Sequence, residues 1–597
     1  MSIYEKIKAI EEVKYLKYMH DFADMYKNIR DEAKKEDKSD IFKNAQYEIE
    51  ILTLHAETPY IGSNSIRFIP KYELKNGTKF PDIDQFSEEQ YRYYESRLEK
   101  TGSSFLKERY ADFLFEHGDK FGVQNKYVLS QVLLPSLLDN ASTHLVHEEY
   151  DSFLENIARA IQVSLKMRNQ QFTNLIKEQL VKQLKELNES QQYDWVLEIA
   201  KLFRAIEESP LSSVIEEEDK NYCYEILEKS REYFFQNKRY EIHRHFCVEL
   251  IEWSKILSKG EETIKKCLLE IGMSYELEAE HQQGREKKSS MVKAHFLERA
   301  LHHYANIGEK NKIDEMKILI RQSYEDIESN GELSPISSEL SIPITTINEI
   351  LNPFFEVDVN EAINLISRTS TFIPKPEVIA EQTKMQMEGF PLQFLINKSI
   401  IDDGKKIIQE VEQDDSFNMS FIGNYVMRLQ VGLELILVRL FDKLVGEKGL
   451  DSDILLNKIK SWELLDNKNE EFVERGIRRF FEGDYISSLH ILVPQFESCI
   501  RRMFVKSGYV TTSIKKGIAQ HEETFNEFLK REDIKSALGE VFHKLVQIVM
   551  VEQAGLNLRN RIAHGLITVA ECKKSINILV IYLFLLLTNY RIVKNED

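Results

Sequence analysis

AHFLERALHHYANIGEKNKIDEMKILIRQSYE, residues 294–325, is the stretch that decides the fold class. Its apolar residues fall three and four apart, and small residues stand where two helices would touch, so it reads as a helical hairpin. The same period runs upstream. Leu154, Ile157, Ala158, Ile161 and Leu165 form one apolar stripe, and Ile176, Leu180, Leu184 and Leu187 form another. No fixed-length repeat links these segments, so residues 1–330 predict an irregular, solenoid-like stack of helices. With 23 Gly and 12 Pro in 597 residues, and no long alternating β-branched runs, the whole chain is expected to be all-α.

Composition shifts mark the rest of the layout. Residues 57–90 collect Pro59, Pro70 and Pro81 and predict an irregular excursion. Prolines concentrate again between 335 and 391, which places a boundary near 330. Residues 331–450 predict a helical connecting region, and 451–597 a compact helical unit. The most apolar run, Ile578 to Leu587, is too short to cross a bilayer and reads as a fully buried helix or a helix at a subunit interface. The N-terminus lacks the apolar block of a secretory signal. The 5 cysteines are scattered without a CxxC pair. Both features predict a reduced, cytoplasmic protein without a membrane span.

A formal charge of −19 excludes nucleic-acid binding through the whole surface, because phosphate repulsion would oppose it. Local charge differs. Residues 475–566 carry 14 Lys and Arg against 10 Asp and Glu, so this end alone is basic.

Within that end stands Arg559-Asn560-Arg561-Ile562-Ala563-His564-Gly565. An arginine can grip a phosphodiester and a histidine can move a proton on it, which is the minimum equipment for cutting RNA without a metal. Arginine followed by histidine after four to six residues is a weak signal, and about two such pairs arise by chance in a chain of this composition. The other pair, Arg239 and His245, reads as a solvated helix face. Asn560 and Gly565 set the second pair apart, since four fixed residue types in seven positions recur in on the order of one chain in a few hundred.

An apolar stripe from Val541 to Leu556 is expected to run as one helix into this motif, with Gly565 as its left-handed terminator. Thr568 to Glu571 predicts a capping box opening the next helix. Asn560 and His564, four apart, would share a face and could hydrogen-bond. Arg559 points elsewhere on an ideal helix, so two facing copies would complete a site better than one. Glu497 and Arg501, also four apart, read as an ion pair or as the border of the cleft. Lys515-Lys516 and Arg501-Arg502 are candidate RNA-backbone contacts or ordinary solvated surface. His243-x-His245-x-Cys247 is set aside as a metal site, because its two-residue spacing suits a strand and its context is helical. No P-loop, GxGxxG, GxSxG or HExxH occurs, so no cofactor is expected.

The motif resembles the Arg-(polar)-x(3–5)-His signature of the HEPN ribonuclease superfamily. More narrowly, it is similar to the RNxxxHG family that includes the endoplasmic-reticulum membrane-associated RNA degradation protein. DYISSLHILVPQFESCIRRMF (484–504), SIPITTINEILNPFF and FIPKPEVIAEQTKMQMEGFPLQFLINKSIIDDG look like segments of that family, covering about 335–597. SSFLKERYADFLFEHG (103–118) is more weakly similar.

The resemblance implies a C-terminal HEPN-like bundle acting as a homodimeric, metal-independent endoribonuclease. His564 would take the 2′-OH proton, Arg559 would hold the scissile phosphate and Asn560 would orient the site. Arg561, Arg501 and Glu497 are candidate substrate contacts. It also implies a toxin or anti-phage effector whose N-terminal region binds a protein trigger or inhibitor. The competing expectation, from another class, is a non-catalytic helical scaffold or dimerisation module that has kept the fold.

Overall fold

The computed structural model describes residues 2–57, 67–74, 77–123, 125–283, 289–332, 342–390, 398–401, 407–411, 415–516 and 519–592. Pro59, Pro335 and Pro391, and parts of the stretches SIPITTINEILNPFF and FIPKPEVIAEQTKMQMEGFPLQFLINKSIIDDG, lie outside these residues. The described chain is predominantly helical and divides into two compact units, Met1–Glu332 and Leu333–Asp597. Its strands form two-stranded antiparallel ladders, two of them (His55–Ala56 with Phe68–Ile69, Tyr72–Glu73 with Lys79–Phe80) in the proline-bearing excursion.

The first unit is built from helices packed against their sequence neighbours. Residues 294–325 lie in a hairpin of Ser290–Ile307 and Lys310–Ser329, turned at Gly308 with φ +76. Upstream, Glu148, Arg168, Gln191, Lys238 and Ser258 take positive φ at helix ends, where glycine would be the cheaper residue. A main core runs from Ile3 to Ile271, and a satellite cluster lies between Ala279 and Ile320.

That main core also contains charge. Asp112 is fully buried and accepts hydrogen bonds from Arg67 Nε (2.9 Å) and Arg159 Nε (3.0 Å). Burial alone would raise the Asp112 carboxyl, but the two guanidinium charges overcome it and hold the group down at about 2.

The second unit is organised around its C-terminal helix, Lys574–Leu587. Every residue from Ser575 to Leu587 is buried, so this helix is apolar on all sides because it is surrounded on all sides. Helices Tyr485–Lys506, Val359–Arg368, Asn467–Phe481, Ser452–Lys460 and Val438–Lys448 pack on it. The Tyr582 hydroxyl donates to the Thr369 carbonyl at 2.7 Å.

Two expectations change as a result. The helix is not available as a subunit interface, since it is fully enclosed in its own unit. Nor does position 450 divide the unit, because one core continues from Ile347 to Leu587 and both sides of 450 contribute to it. A helix apolar all round needs cover from both sides, and the 359–368 and 438–448 helices supply part of it.

A further difference concerns residues 416–448. Ser416–Lys448 is one helical run, passing through a π-helical turn at Leu433–Leu437, and is long and apolar enough to cross a membrane by length and composition. Arg428, Glu434 and Arg439 break up its apolar blocks in the sequence, which is why it escapes a reading by uninterrupted runs. A third of its apolar window is buried, and Tyr425, Leu433, Leu437 and Leu444 join the core.

Candidate functional site

The motif sits on a short helix of its own. The apolar helix upstream, Glu540–Met550, stops at Met550 rather than running into the motif. The chain then turns back, and the Leu556 N–H donates to the Ile548 carbonyl at 2.9 Å. Gly555 makes this return possible: a Cβ there would lie 2.3 Å from the Ile548 carbonyl oxygen. Gly555→Ala is therefore expected to destabilise the unit by about 1–3 kcal/mol, measured by thermal or urea melting of the full chain. An unchanged midpoint would refute this account of the turn.

Asn557 follows in the left-handed conformation (φ 50, ψ 33), which asparagine tolerates better than most residues. Helix Leu558–Ala563 begins there, anchored by buried Leu558 and by Ile562 against the core. It ends in a Schellman motif. Gly565 (φ +66) donates its N–H to the Ile562 carbonyl at 3.1 Å, and the Leu566 N–H donates to the Arg561 carbonyl at 2.7 Å. Gly565 thus acts as expected. The expected capping box forms around Thr568 and Glu571 but opens a 3₁₀ turn, Val569–Glu571, ahead of the C-terminal helix.

These turns distribute the motif's side chains. Arg559 Nε donates to Glu497 Oε2 at 2.7 Å, and Arg559 Nη1 donates to the Asn560 side-chain oxygen at 3.1 Å. Glu497 Oε1 accepts from Arg501 Nε and Nη2 at 3.0 and 2.9 Å, so one carboxylate on the Tyr485–Lys506 helix holds two arginines. Arg501 is buried further, under Phe525 and Phe528, with Nη2 on the Glu523 carbonyl at 2.7 Å. Arg559 stays partly open at 30% side-chain exposure.

Asn560 and His564 are joined through the backbone, the His564 N–H donating to the Asn560 backbone carbonyl at 3.0 Å, whereas the expected bond between the Asn560 amide and the imidazole is not made. The Asn560 amide nitrogen donates to the Asn557 side-chain oxygen at 2.8 Å, and its carbonyl serves Arg559. Ending the helix at Ala563 puts His564 on the cap, with its ring exposed. Arg561 turns to a different partner, with Nη1 2.6 Å from Glu571 Oε1 and Nη2 2.8 Å from Glu571 Oε2. It braces the capping box.

The structure thus joins Arg559, Asn560, Glu497 and Arg501 in one hydrogen-bonded set, leaves the exposed His564 outside it on the helix cap, and assigns Arg561 to the turn that follows. Arg502 pairs with Asp466 at 2.6 Å, away from that set, and Lys515-Lys516 lie on the Thr512–Lys516 strand. Asn557 and Gly555 escaped the sequence reading, although a glycine and an asparagine two apart between apolar helices are a turn signal. The other Arg–His pair is a solvated face as expected: Arg239 bonds Asp194 at 2.8 Å and His245 is exposed. Comparison with family models, with curated proteins and with solved structures returns no match.

Proposed function

We propose that the second unit is a HEPN-like endoribonuclease that cuts RNA without a metal, using His564 to move the proton of the attacking 2′-OH and Arg559 to hold the phosphate. The observations that support this reading are the exposed His564 imidazole, on the turn that caps the helix, and, five residues back along the chain, an arginine whose direction Glu497 and Asn560 set. Guanidinium complements the charge that builds on the phosphorus oxygens, and imidazole exchanges protons near neutral pH. The 2′-oxygen bonds to phosphorus as the P–O5′ bond breaks, leaving a 2′,3′-cyclic phosphate and a 5′-OH. DNA lacks that nucleophile and is expected to resist.

Glu497 and Arg501 serve here as positioning residues rather than substrate contacts. A second copy supplies a second set of these groups. Exposed Leu566 and Val569, which flank the motif, are the apolar surface on which it would dock. The stack of helices in the first unit would receive a protein trigger or inhibitor, in a cytoplasmic, growth-arresting effector.

The test is incubation of the 597-residue chain with end-labelled RNA in the presence of EDTA. Cleavage with a cyclic-phosphate end supports the reading, and cutting that requires added metal ions, or no cutting at all, removes it. One observation favours a scaffold instead. Both motif arginines already have carboxylate partners, Glu497 for Arg559 and Glu571 for Arg561. On that reading, His564→Ala would leave growth arrest and partner binding unchanged.

A further inference from the structure

The histidine and cysteine set aside in the sequence meet again in the first unit. Helix Tyr240–Ile256 carries His243 and Cys247 four residues apart on its buried face, while His245 points to solvent. Helix Glu261–Gln283 packs against it and brings Glu270. The His243 Nε2, Cys247 Sγ and Glu270 carboxylate atoms all lie within 4.8 Å of one another. His243 Nε2 is 3.4 Å from Cys247 Sγ, and Sγ is 4.0 Å from Glu270 Oε2. We propose that these three side chains form a binding site for a divalent transition-metal ion of the zinc type.

The ring geometry supports this. His243 Nδ1 lies 3.1 Å from the Arg231 carbonyl oxygen, which can only accept, so Nδ1 carries the proton. Nε2 therefore presents its lone pair to the cluster, the arrangement found where a carbonyl behind the ring accepts its other N–H and orients a ligating imidazole. One metal with ligand bonds of about 2.0–2.3 Å, set at tetrahedral angles, spans its donors by roughly 3.5 Å, against 3.4 Å between His243 Nε2 and Cys247 Sγ and 4.0 Å between Sγ and Glu270 Oε2. Thiolate, imidazole and carboxylate together suit zinc, with water completing the fourth position.

Arg231 Nη1, 3.1 Å from Glu270 Oε2, orients that carboxylate from outside and balances its charge. Glu270 is partly exposed, so the ion has a route in from solvent. Binding displaces the Cys247 thiol proton to solvent and ties the two helices together. The competing account, a thiol hydrogen-bonded to an imidazole in a dry core, needs no ion.

The test uses the full chain without a polyhistidine tag, stripped with chelator and titrated with Co²⁺. One equivalent should bind with a thiolate-to-cobalt charge-transfer band and raise Tm. Cys247→Ser should abolish the band, whereas Cys223→Ser, a buried cysteine outside the cluster, should keep it. Glu270→Gln, which keeps the side chain's size and a hydrogen-bond acceptor for Arg231, should weaken binding at least tenfold while the variant still folds with a cooperative apo melting curve. No band in the wild type, a band that survives Cys247→Ser, or unchanged affinity in Glu270→Gln overturns the proposal.

Discussion

On the proposed function, His564→Ala is expected to lower RNA cleavage by the 597-residue chain by about 10²- to 10⁴-fold, the range supplied by a positioned general acid–base group. Its melting temperature should not move, because the ring is exposed and, among the described residues, no side-chain hydrogen bond reaches it. Stability and activity therefore separate cleanly at this position. Arg559→Ala should also lose cleavage, and Arg559→Lys should rescue it poorly, since an ammonium cannot reproduce the planar fork shared by Glu497 and a phosphate. Cleavage by His564→Ala within tenfold of wild type would end the nuclease reading.

The largest expected effect on stability lies in the other unit. Asp112→Ala should cost about 3–5 kcal/mol in urea or thermal unfolding, because it leaves Arg67 and Arg159 buried without the carboxylate that they share. The same group sets an acid limit. Its folded-state value, about 2, lies below the ordinary 3.8, so its contribution is fully present above about 3.8. That contribution is lost as pH falls through about 2. A loss of less than about 1 kcal/mol in Asp112→Ala would show that the cluster is not a stabilising element.

Helix content and the break near 330 were legible, because apolar period and proline clustering are local signals. Helix ends in the first unit were not. Glu148, Arg168, Gln191, Lys238 and Ser258 turn through the left-handed region without the glycine that would announce it. At the site, the motif's residue types could be read but their partners could not. Glu497 reaches Arg559 across 62 residues of sequence, a pairing set by the tertiary packing of two helices. The His243, Cys247 and Glu270 cluster is hidden in the sequence for the same reason: one helix offers two of its residues and the neighbouring helix offers the third.

Burial of the Lys574–Leu587 helix has a consequence for synthesis. A ribosome releases the Arg559–Gly565 turn before it releases the helix around which the second unit is packed. Until that helix has cleared the exit tunnel, the layers meant to enclose it have nothing to close upon, and the turn has no firm support. On the proposed reading, a nascent chain would carry the motif before its turn is supported, and the transcript being translated would stay intact until the core of the second unit is complete.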